Sequence, residues 1–380
     1  MNIVDVNGFY AGAGGGVRRY VDAKFAAAAR AGVDLTVIAP GEADRTEPRE
    51  GGRVAWVAGP TMPFDPRYRL FGRREAVFAA LDLAAPDLVE ASSPWTSADL
   101  AAAWTGRAAR ALVFHQDAVA AYGHTFLDRI LPWPAIDSLA APYWGRVRRL
   151  SQRFDVTVAG GEWLAGRLAA HGVGNARSVP LGIEFGPFSP SQRDEALRAE
   201  LLTRCGAPAD GRLLLAVSRF HPEKRLPTVI DAFARANARR GDLGLAVIGD
   251  GLARANVEQA AARAGRVVLL GAIDDRPGLA RHLASADLFV HGSGAETYGL
   301  AVAEAFASGL PAVIPDRGGA ADLAARGRSV LYRTGNAADG ARAILDALEG
   351  RLSDAEAAPA SLDTHFAALF ALYRELTAVR

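Results

Sequence analysis

Two glutamates, Glu296 and Glu304, have the residue type and spacing that most suggest chemistry in this sequence. They follow an apolar segment that ends at His291, and residues 299–307 have the composition of a helix. We therefore expect Glu296 in a loop and Glu304 in a helix, near the carboxyl edge of a parallel sheet, where open α/β folds bind ligands. Because carboxylates accept charge-assisted hydrogen bonds, the pair can hold two polyols. The alternative is a capping carboxylate and a solvated helix glutamate.

The residues around this pair form a longer pattern, E-x7-E followed by A-x-G-x-P-x-V. It comprises Glu296, Glu304, Ala307, Gly309, Pro311 and Val313. This pattern resembles the signature of retaining family 4 glycosyltransferases. The resemblance implies a GT-B fold, in which two Rossmann-like domains face each other across a cleft. It also implies transfer of a hexose from a nucleotide-sugar, GDP-mannose or a UDP-hexose, to an acceptor hydroxyl on a lipid or glycan.

Composition limits the classes of protein to consider. A chain of 380 residues, half of them apolar, has enough material for two hydrophobic cores. The net charge of +1 argues against a nucleic-acid-binding protein. No apolar run approaches the roughly 20 residues that span a bilayer, and residues 1–10 are expected to form a strand rather than a signal peptide. Because Cys205 is the only cysteine, we expect no internal disulfide, no cysteine-based metal site and a cytoplasmic location.

Short β-rich runs alternate with longer helical runs along the chain. This pattern predicts an α/β fold with helices on both faces of parallel sheets. The predicted strands are 2–6, 35–38, 54–57, 88–90, 111–115, 156–159, 176–179, 212–218, 243–248, 267–270, 288–291 and 312–314. The predicted helices include 17–30, 69–84, 97–105, 163–171, 226–239, 254–264, 278–285 and 300–308.

A turn-forming stretch after Pro180 predicts the boundary between two domains. Residues 1–184 are expected to form an N-terminal, acceptor-side domain, and residues 185–361 a C-terminal domain that binds the nucleotide-sugar. A final amphipathic helix is predicted over residues 364–379. The resemblance implies that this last segment, 362–380, packs back on the first domain.

A glycine-rich loop follows the first predicted strand and leads directly into a helix. Its glycines let the backbone approach a ligand, and the helix N-terminus offers N–H groups to an anion. The loop lacks the third glycine of a dinucleotide fingerprint, which argues against NAD. Similar loops in the family close over the donor diphosphate, which assigns this role to Gly14, Gly15 and Gly16. The alternative is a plain tight turn.

Arg219 and Lys224 flank a predicted turn after the first strand of the second half. Two cations so placed can converge on a pyrophosphate. The pair matches the family's R-x4-K, whose residues neutralise the leaving nucleotide diphosphate. Taken alone, such a loop is usually only surface.

His115 stands at the end of a predicted strand, where a histidine is more often a hydrogen-bonded core residue than a catalytic one. It nevertheless matches the family position where a histidine meets the sugar ring. Asp117 and Tyr122 are further candidates on the acceptor side.

The resemblance also implies donor contacts by residues in the second domain. These are Gly249, Glu296, Tyr298, Gly299, Leu300 and Glu304. Glu296 would hold sugar hydroxyls and Glu304 the ribose. The family usually has Phe at Tyr298 and Glu at Asp322, so fine donor contacts are expected to differ. No D-x-D motif stands at a strand end, and no cofactor or metal is expected because Arg219 and Lys224 carry the diphosphate charge.

Residues 142–154 suggest contact with an anionic membrane. In a helix, Trp144 and Val147 would lie on one side and Arg146, Arg149 and Arg153 on another, the distribution of an interfacial helix. We therefore expect possible peripheral association with the inner face of the cell membrane. The alternative is a helix that packs its apolar side on the first domain.

Other functions fit part of the pattern. A nucleotide-sugar epimerase or a phosphorylase can use the same double fold, but an epimerase needs no second substrate and a phosphorylase usually carries a lysine-bound pyridoxal cofactor. A non-catalytic nucleotide-sugar-binding module would have no need for all of these polar residues. Oligomeric state is not indicated by the sequence.

Overall fold

The computed structural model describes residues 1–11, 16–63, 65–355 and 358–379, which contain two β-sheets flanked by helices. The strands are β1 Asn2–Val6, β2 Asp34–Gly41, β3 Arg45–Arg49, β4 Gly52–Ala58, β5 Leu88–Ala91, β6 Ala109–Phe114, β7 Val156–Ala159, β8 Ala176–Ser178, β9 Arg212–Val217, β10 Leu243–Ile248, β11 Val267–Gly271, β12 Leu288–Val290, β13 Ala312–Pro315 and β14 Ser329–Tyr332. The α-helices are α1 Gly16–Ala31, α2 Arg74–Ala84, α3 Thr96–Ala103, α4 Thr125–Leu127, α5 Trp133–Leu139, α6 Ala141–Ser151, α7 Glu162–Ala170, α8 Glu195–Cys205, α9 Leu226–Arg240, α10 Arg254–Ala264, α11 Arg276–Ser285, α12 Leu300–Ala307, α13 Gly319–Asp322, α14 Ala337–Leu348 and α15 Leu362–Ala378. A π-helical turn, Val119–His124, leads into α4, and short 3-10 turns are Pro190–Gln192, Pro222–Lys224 and Leu323–Ala325.

Strand order explains where a ligand can bind in each sheet. The first sheet has the order β3-β4-β2-β1-β5-β6-β7-β8, and the second has β11-β10-β9-β12-β13-β14. All pairings are parallel except that of β3 with β4. The chain order reverses at β1/β5 in the first sheet and at β9/β12 in the second. Crevices at such switch points, beyond the carboxyl ends of the strands, are the usual ligand sites of open α/β sheets.

Both faces of each sheet are covered, as the alternation of side chains along a strand requires. In β1, Ile3 packs into one apolar cluster while Val4 and Val6 pack into another. In β9, Leu214 and Leu215 divide in the same way between the two faces of the second sheet. The predicted α/β class is therefore confirmed.

Helix α15 returns to the first domain after the second sheet is complete. At its start, the Ile183 N–H donates to the backbone oxygen of Ala360, and the Leu362 N–H donates to the backbone oxygen of Ile183, both at 3.0 Å. Its apolar side then joins the core beside α1, β1 and β2, and this side comprises Phe366, Leu369, Phe370 and Tyr373. The last helix therefore fastens the second domain to the first.

The sequence interpretation missed β3, β14 and α14. Strand β3 is polar, contains Pro48 and lies at a sheet edge, so it carries none of the apolar alternation on which the prediction relied. The helix predicted from residue 69 begins instead at Arg74, because Arg69 forms an antiparallel bridge with Thr61. The helix predicted over 142–154 is α6, and it ends at Ser151.

Candidate active-site cleft

The loop after β9 carries a buried lysine whose charge is matched by two carboxylates. Lys224 Nζ lies 2.8 Å from Glu296 Oε1 and 3.2 Å from Glu223 Oε1. Burial alone would lower the pKa of Lys224, but the charges of both glutamates raise it above its ordinary value. Arg219, at the other end of the loop, is 80% exposed and reaches Glu223 only at 3.9 Å. Ion pairs therefore hold the Lys224 ammonium in place, whereas the exposed Arg219 side chain is accessible to a ligand.

Glu296 lies in the loop after β12, as expected. Because β12 is the neighbour of β9 in the sheet, the loops that follow these two strands meet, and Glu296 contacts Lys224. Burial alone would raise the pKa of Glu296, but the charge of Lys224 lowers it, so the group is ionised. His291 Nε2 lies 3.6 Å from the same carboxylate and has no hydrogen-bond partner. Because burial lowers the pKa of His291 to about 4, this imidazole is neutral. The Glu296 carboxylate can therefore accept hydrogen bonds from a ligand's hydroxyls.

Glu304 lies on α12, as expected, and meets a cation that the sequence interpretation did not identify. Arg276, the first residue of α11, places Nη1 3.2 Å from Glu304 Oε1 and stacks on Phe188, 4.7 Å from its ring centroid. Burial raises the pKa of Glu304, and Arg276 offsets part of this effect. The signal that could have found Arg276 is its position at the start of the helix after β11, at the same sheet edge as Glu296.

Glycine is required at two of the predicted donor positions. Gly249 has φ +142°, and a Cβ there would lie 1.8 Å from the carbonyl oxygen of Ser218. Gly299 has φ +97°, and a Cβ there would lie 3.0 Å from Ala320. Both positions therefore exclude larger residues. Gly16 is the exposed first residue of α1, while Gly14 and Gly15 lie outside the described residues.

His115 faces these groups from the first domain. It follows β6 directly, and its backbone oxygen accepts a hydrogen bond from Thr297 Oγ1 at 3.3 Å, across the cleft. Its ring packs edge-on against Tyr20, with centroids 5.0 Å apart. The Nε2 atom is buried and has no partner, and burial lowers the pKa of His115 to about 4. A neutral imidazole with an unsatisfied nitrogen therefore lies at the first-domain edge of the cleft.

Comparison with known proteins agrees with this geometry. A model described as Glycosyltransferase Family 4 matches residues 14–185, and one described as Glycosyl transferases group 1 matches residues 211–350. A GDP-mannose-dependent alpha-(1-6)-phosphatidylinositol dimannoside mannosyltransferase of Mycobacterium tuberculosis is 30% identical over 319 residues, which span 83% of this chain and 79% of that protein. The chain belongs to glycosyltransferase family 4.

Further relatives agree with the family and the fold. A GDP-mannose-dependent alpha-mannosyltransferase of Mycolicibacterium smegmatis is 36% identical over 189 residues, and this match spans 50% of the chain but only 46% of that relative. The solved structure of sucrose-phosphate synthase from Thermosynechococcus elongatus superposes with a TM-score of 0.74 at 18% identity, covering 100% of both chains. This family 4 chain therefore has the GT-B fold that the sequence predicted.

Two of the residues expected to contact ligands in this glycosyltransferase are buried. Asp117 forms an ion pair with Arg167 and accepts a hydrogen bond from the Ala120 N–H at 2.9 Å, so its carboxylate caps the π-helical turn instead of facing the cleft. Tyr298 packs its ring in the core of the second domain. By contrast, Tyr122 and Leu300 are exposed.

The expected interfacial helix α6 also packs inward. Trp144, Val147 and Leu150 are buried in the core of the first domain. Arg146 donates two hydrogen bonds to Asp99 at 2.7 and 2.8 Å, and Arg153 donates to the backbone oxygen of Ala102 at 2.6 Å. The alternative, a structural helix, is therefore correct, because its apolar side completes a core rather than facing a bilayer.

A buried ionic cluster lies beneath the first-domain side of the cleft. Lys24 Nζ lies 2.6 Å from Glu90 Oε2 and 3.5 Å from Asp5 Oδ2, and all three side chains are fully buried. Tyr373 of α15 donates a hydrogen bond to Glu90 at 2.7 Å. Burial raises the pKa of Asp5 to about 6. At Glu90, burial also acts to raise the pKa, but the charge of Lys24 and the hydrogen bonds from Lys24 and Tyr373 together lower it below its ordinary value. The sequence interpretation did not identify this cluster.

Neither a metal cluster nor a membrane span is found in the part of the chain that the structure describes. There, no group of three or more His, Cys, Asp or Glu side chains is arranged to hold a metal ion. Among the same residues, no helix combines the length and apolarity needed to cross a membrane.

Proposed function

We propose that this chain transfers mannose from GDP-mannose to a hydroxyl of a membrane lipid, with retention of anomeric configuration. The observation that carries the proposal is the Lys224–Glu296 ion pair at the β9/β12 switch point, across the cleft from His115. The choice of donor is supported by the relatives above, both of which are named GDP-mannose-dependent. The choice of a lipid is supported by the relative that is named for a phosphatidylinositol dimannoside.

Each polar group then has a distinct role in the reaction. Lys224 neutralises the charge that develops on the departing diphosphate, as a fixed cation in a desolvated site can, and the exposed Arg219 side chain supplies a second positive charge. Glu296 accepts hydrogen bonds from the sugar hydroxyls, and Glu304, steadied by Arg276, accepts them from the ribose. The bond from the anomeric carbon to the phosphate oxygen breaks while the acceptor oxygen attacks on the same face. The departing phosphate takes the acceptor's proton, so no metal ion or enzyme nucleophile is needed.

The choice of donor is tested by nucleotide binding. We expect GDP to raise the melting temperature more than UDP, since a ligand at a hundredfold its Kd adds about 2.7 kcal/mol of stability. Glu304→Ala should reduce the GDP-induced shift, because the ribose loses its carboxylate partner. Glu258→Ala, an exposed glutamate on α10, is the matched control and should leave it unchanged. A larger shift with UDP would overturn the choice of donor, and no shift with either nucleotide would overturn the proposed function.

An apolar groove in the first domain supports the choice of a lipid acceptor. A groove of about 320 Å³ is lined almost entirely by apolar atoms. Its lining residues are Ala118, Val119, Gly123, Leu127, Ile136, Leu139, Ala140 and Tyr143. Its first lining residue, Ala118, follows His115 by three residues, so a chain lying in the groove would leave its headgroup near the cleft. We assign this groove to an acyl chain of the acceptor.

Exposed apolar side chains continue from the groove to the surface. Phe126 is 59% exposed and Ile130 75% exposed, and Tyr122 and Leu139 are exposed beside them. Tyr122 lies in the π-helical turn, Phe126 in α4, and Ile130 in the turn that follows α4. Arg129, in the same segment, is also exposed, and a cation near an anionic surface adds about 1 kcal/mol. This arrangement supports peripheral membrane contact through residues 119–139 instead of through α6.

Vesicle binding tests this placement. Phe126→Ser combined with Ile130→Ser should reduce binding to phosphatidylglycerol-containing vesicles by at least about tenfold, because apolar anchoring and electrostatic attraction act together. Transfer to a water-soluble acceptor should persist. Leu252→Ser is the matched control, since Leu252 is 93% exposed but lies in the second domain. Unchanged binding of the double variant would contradict this placement of the membrane contact. No binding of the wild type at low salt would also contradict it, and would indicate a free glycan as the acceptor.

A further inference from the structure

Arg225, the residue after Lys224, has an unfavourable backbone conformation. Its φ of +50° and ψ of +34° lie in the left-handed region, which L-residues rarely adopt. Glycine adopts this conformation without steric cost and is common at such positions. A non-glycine residue in a strained conformation beside a functional loop suggests that its side chain has a compensating role.

The Arg225 side chain makes its contacts with the other domain. Nη2 donates to Asp128 Oδ2 at 2.7 Å and to the His124 carbonyl oxygen at 3.3 Å. Both charged side chains are only 11% exposed, so solvent screens the pair far less than a surface ion pair. On its other side, the guanidinium packs closely against Gly335. A Cβ added at Gly335 would lie only 2.9 Å from Arg225 Nη1.

A second contact between the two domains lies in the same region, which we call the Arg225 junction. The Arg317 guanidinium of the second domain lies 4.3 Å from the centroid of Trp133 in the first, within the range of a cation–π interaction. Trp133 in turn stacks on His124 with ring centroids 3.8 Å apart. The segment His124–Trp133 is therefore held to the second domain at two points.

The position of this junction relates it to both substrates. On one side, Arg225 adjoins Lys224, which is placed to hold the donor diphosphate. On the other, Asp128 lies between Phe126 and Ile130 in the segment that we assign to the lipid acceptor. Misplacement of reacting groups by about 1 Å can cost on the order of 10²-fold in rate.

We propose that Arg225 is a positioning residue that aligns the acceptor segment with the diphosphate loop. The proposal rests on the proposed function. The strained backbone is kept because it directs the guanidinium across the cleft to Asp128. Loss of this contact separates the two substrates without removing any group that binds the nucleotide.

Arg225→Gly tests the proposal, because it relieves the backbone strain and removes the ion pair together. We expect a melting temperature equal to or above that of the wild type, an unchanged GDP-induced shift, and a 10- to 100-fold fall in transfer to the acceptor. The fall should appear in KM for the acceptor more than in KM for the donor. Small-angle scattering of the free protein should show a larger radius of gyration.

Two further variants make the test specific. Asp128→Asn should reproduce the loss of transfer, and combining it with Arg225→Gly should cause little further loss, since both changes break one contact. Arg235→Ala removes an exposed ion pair with Asp231 on α9 and should leave transfer unchanged. Wild-type transfer by Arg225→Gly, or a fall in melting temperature with an equal loss of nucleotide binding, would overturn the proposal. Because scattering needs no substrate, an unchanged radius of gyration would overturn it independently of the proposed function, which the wild-type response to GDP tests.

Discussion

Lys224→Met will lower the rate of glycosyl transfer by about 10²–10³-fold, the range typical for loss of a fixed charge at a transition state. Lys224 is the buried cation in the loop between β9 and α9, and its ammonium lies between Glu223 and Glu296. Removing it leaves the carboxylates of Glu223 and Glu296 without their shared cation, so the site becomes more negative and repels the departing diphosphate. The measurement is kcat with saturating nucleotide-sugar. Magnesium should not restore activity, because the protein supplies the charge itself.

Two controls separate catalysis from folding in this experiment. Lys224→Arg keeps the positive charge and should retain more activity than Lys224→Met at a similar melting temperature. Arg219→Ala removes an exposed cation and should cost about tenfold or less. If Lys224→Met kept the wild-type kcat, or if activity depended on an added divalent ion, the metal-free role of this loop would be wrong.

Lys24→Met will destabilise the first domain by about 3–5 kcal/mol, the usual cost of removing one partner of a buried ion pair. Lys24 lies on α1, fully buried, and bonds Glu90 at 2.6 Å at the end of β5. Without it, Glu90 and Asp5 face each other inside a core with no cation to balance them. Urea unfolding, followed by tryptophan fluorescence, should show a lower midpoint for the first domain.

A matched variant distinguishes the ion pair from general packing. Tyr373→Phe removes a hydroxyl that donates to the same Glu90 carboxylate but leaves the charge balance intact. It should cost less, about 1.5–3 kcal/mol for a hydrogen bond to a charged group. Combining Lys24→Met with Glu90→Gln should recover part of the lost stability. A midpoint for Lys24→Met that equals or exceeds that of Tyr373→Phe would contradict the central role of the lysine.

Sequence alone determined the features that depend on neighbouring residues. Alternating apolar runs identified most strands, because the period of two along a strand is a local property. Glu296 and Lys224 were recognised because each follows a strand, and carboxyl ends of parallel strands meet at one edge of a sheet. The edge strand β3 was missed because its stability comes from pairing with β4, and its own residues are polar.

The tertiary structure alone decided which distant residues meet. Lys24 and Glu90 are 66 residues apart, and Tyr373 and Glu90 are 283 apart, so no local pattern reveals their cluster. For α6, the sequence shows an apolar side and a basic side, but only packing decides whether the apolar side faces a core or a membrane. The same holds for Arg225. Nothing in the sequence distinguishes it from a surface arginine, and only the fold shows that it contacts Asp128 across the cleft. Periodicity depends on the chain's own geometry, whereas these contacts depend on how two separately folded sheets are placed against each other.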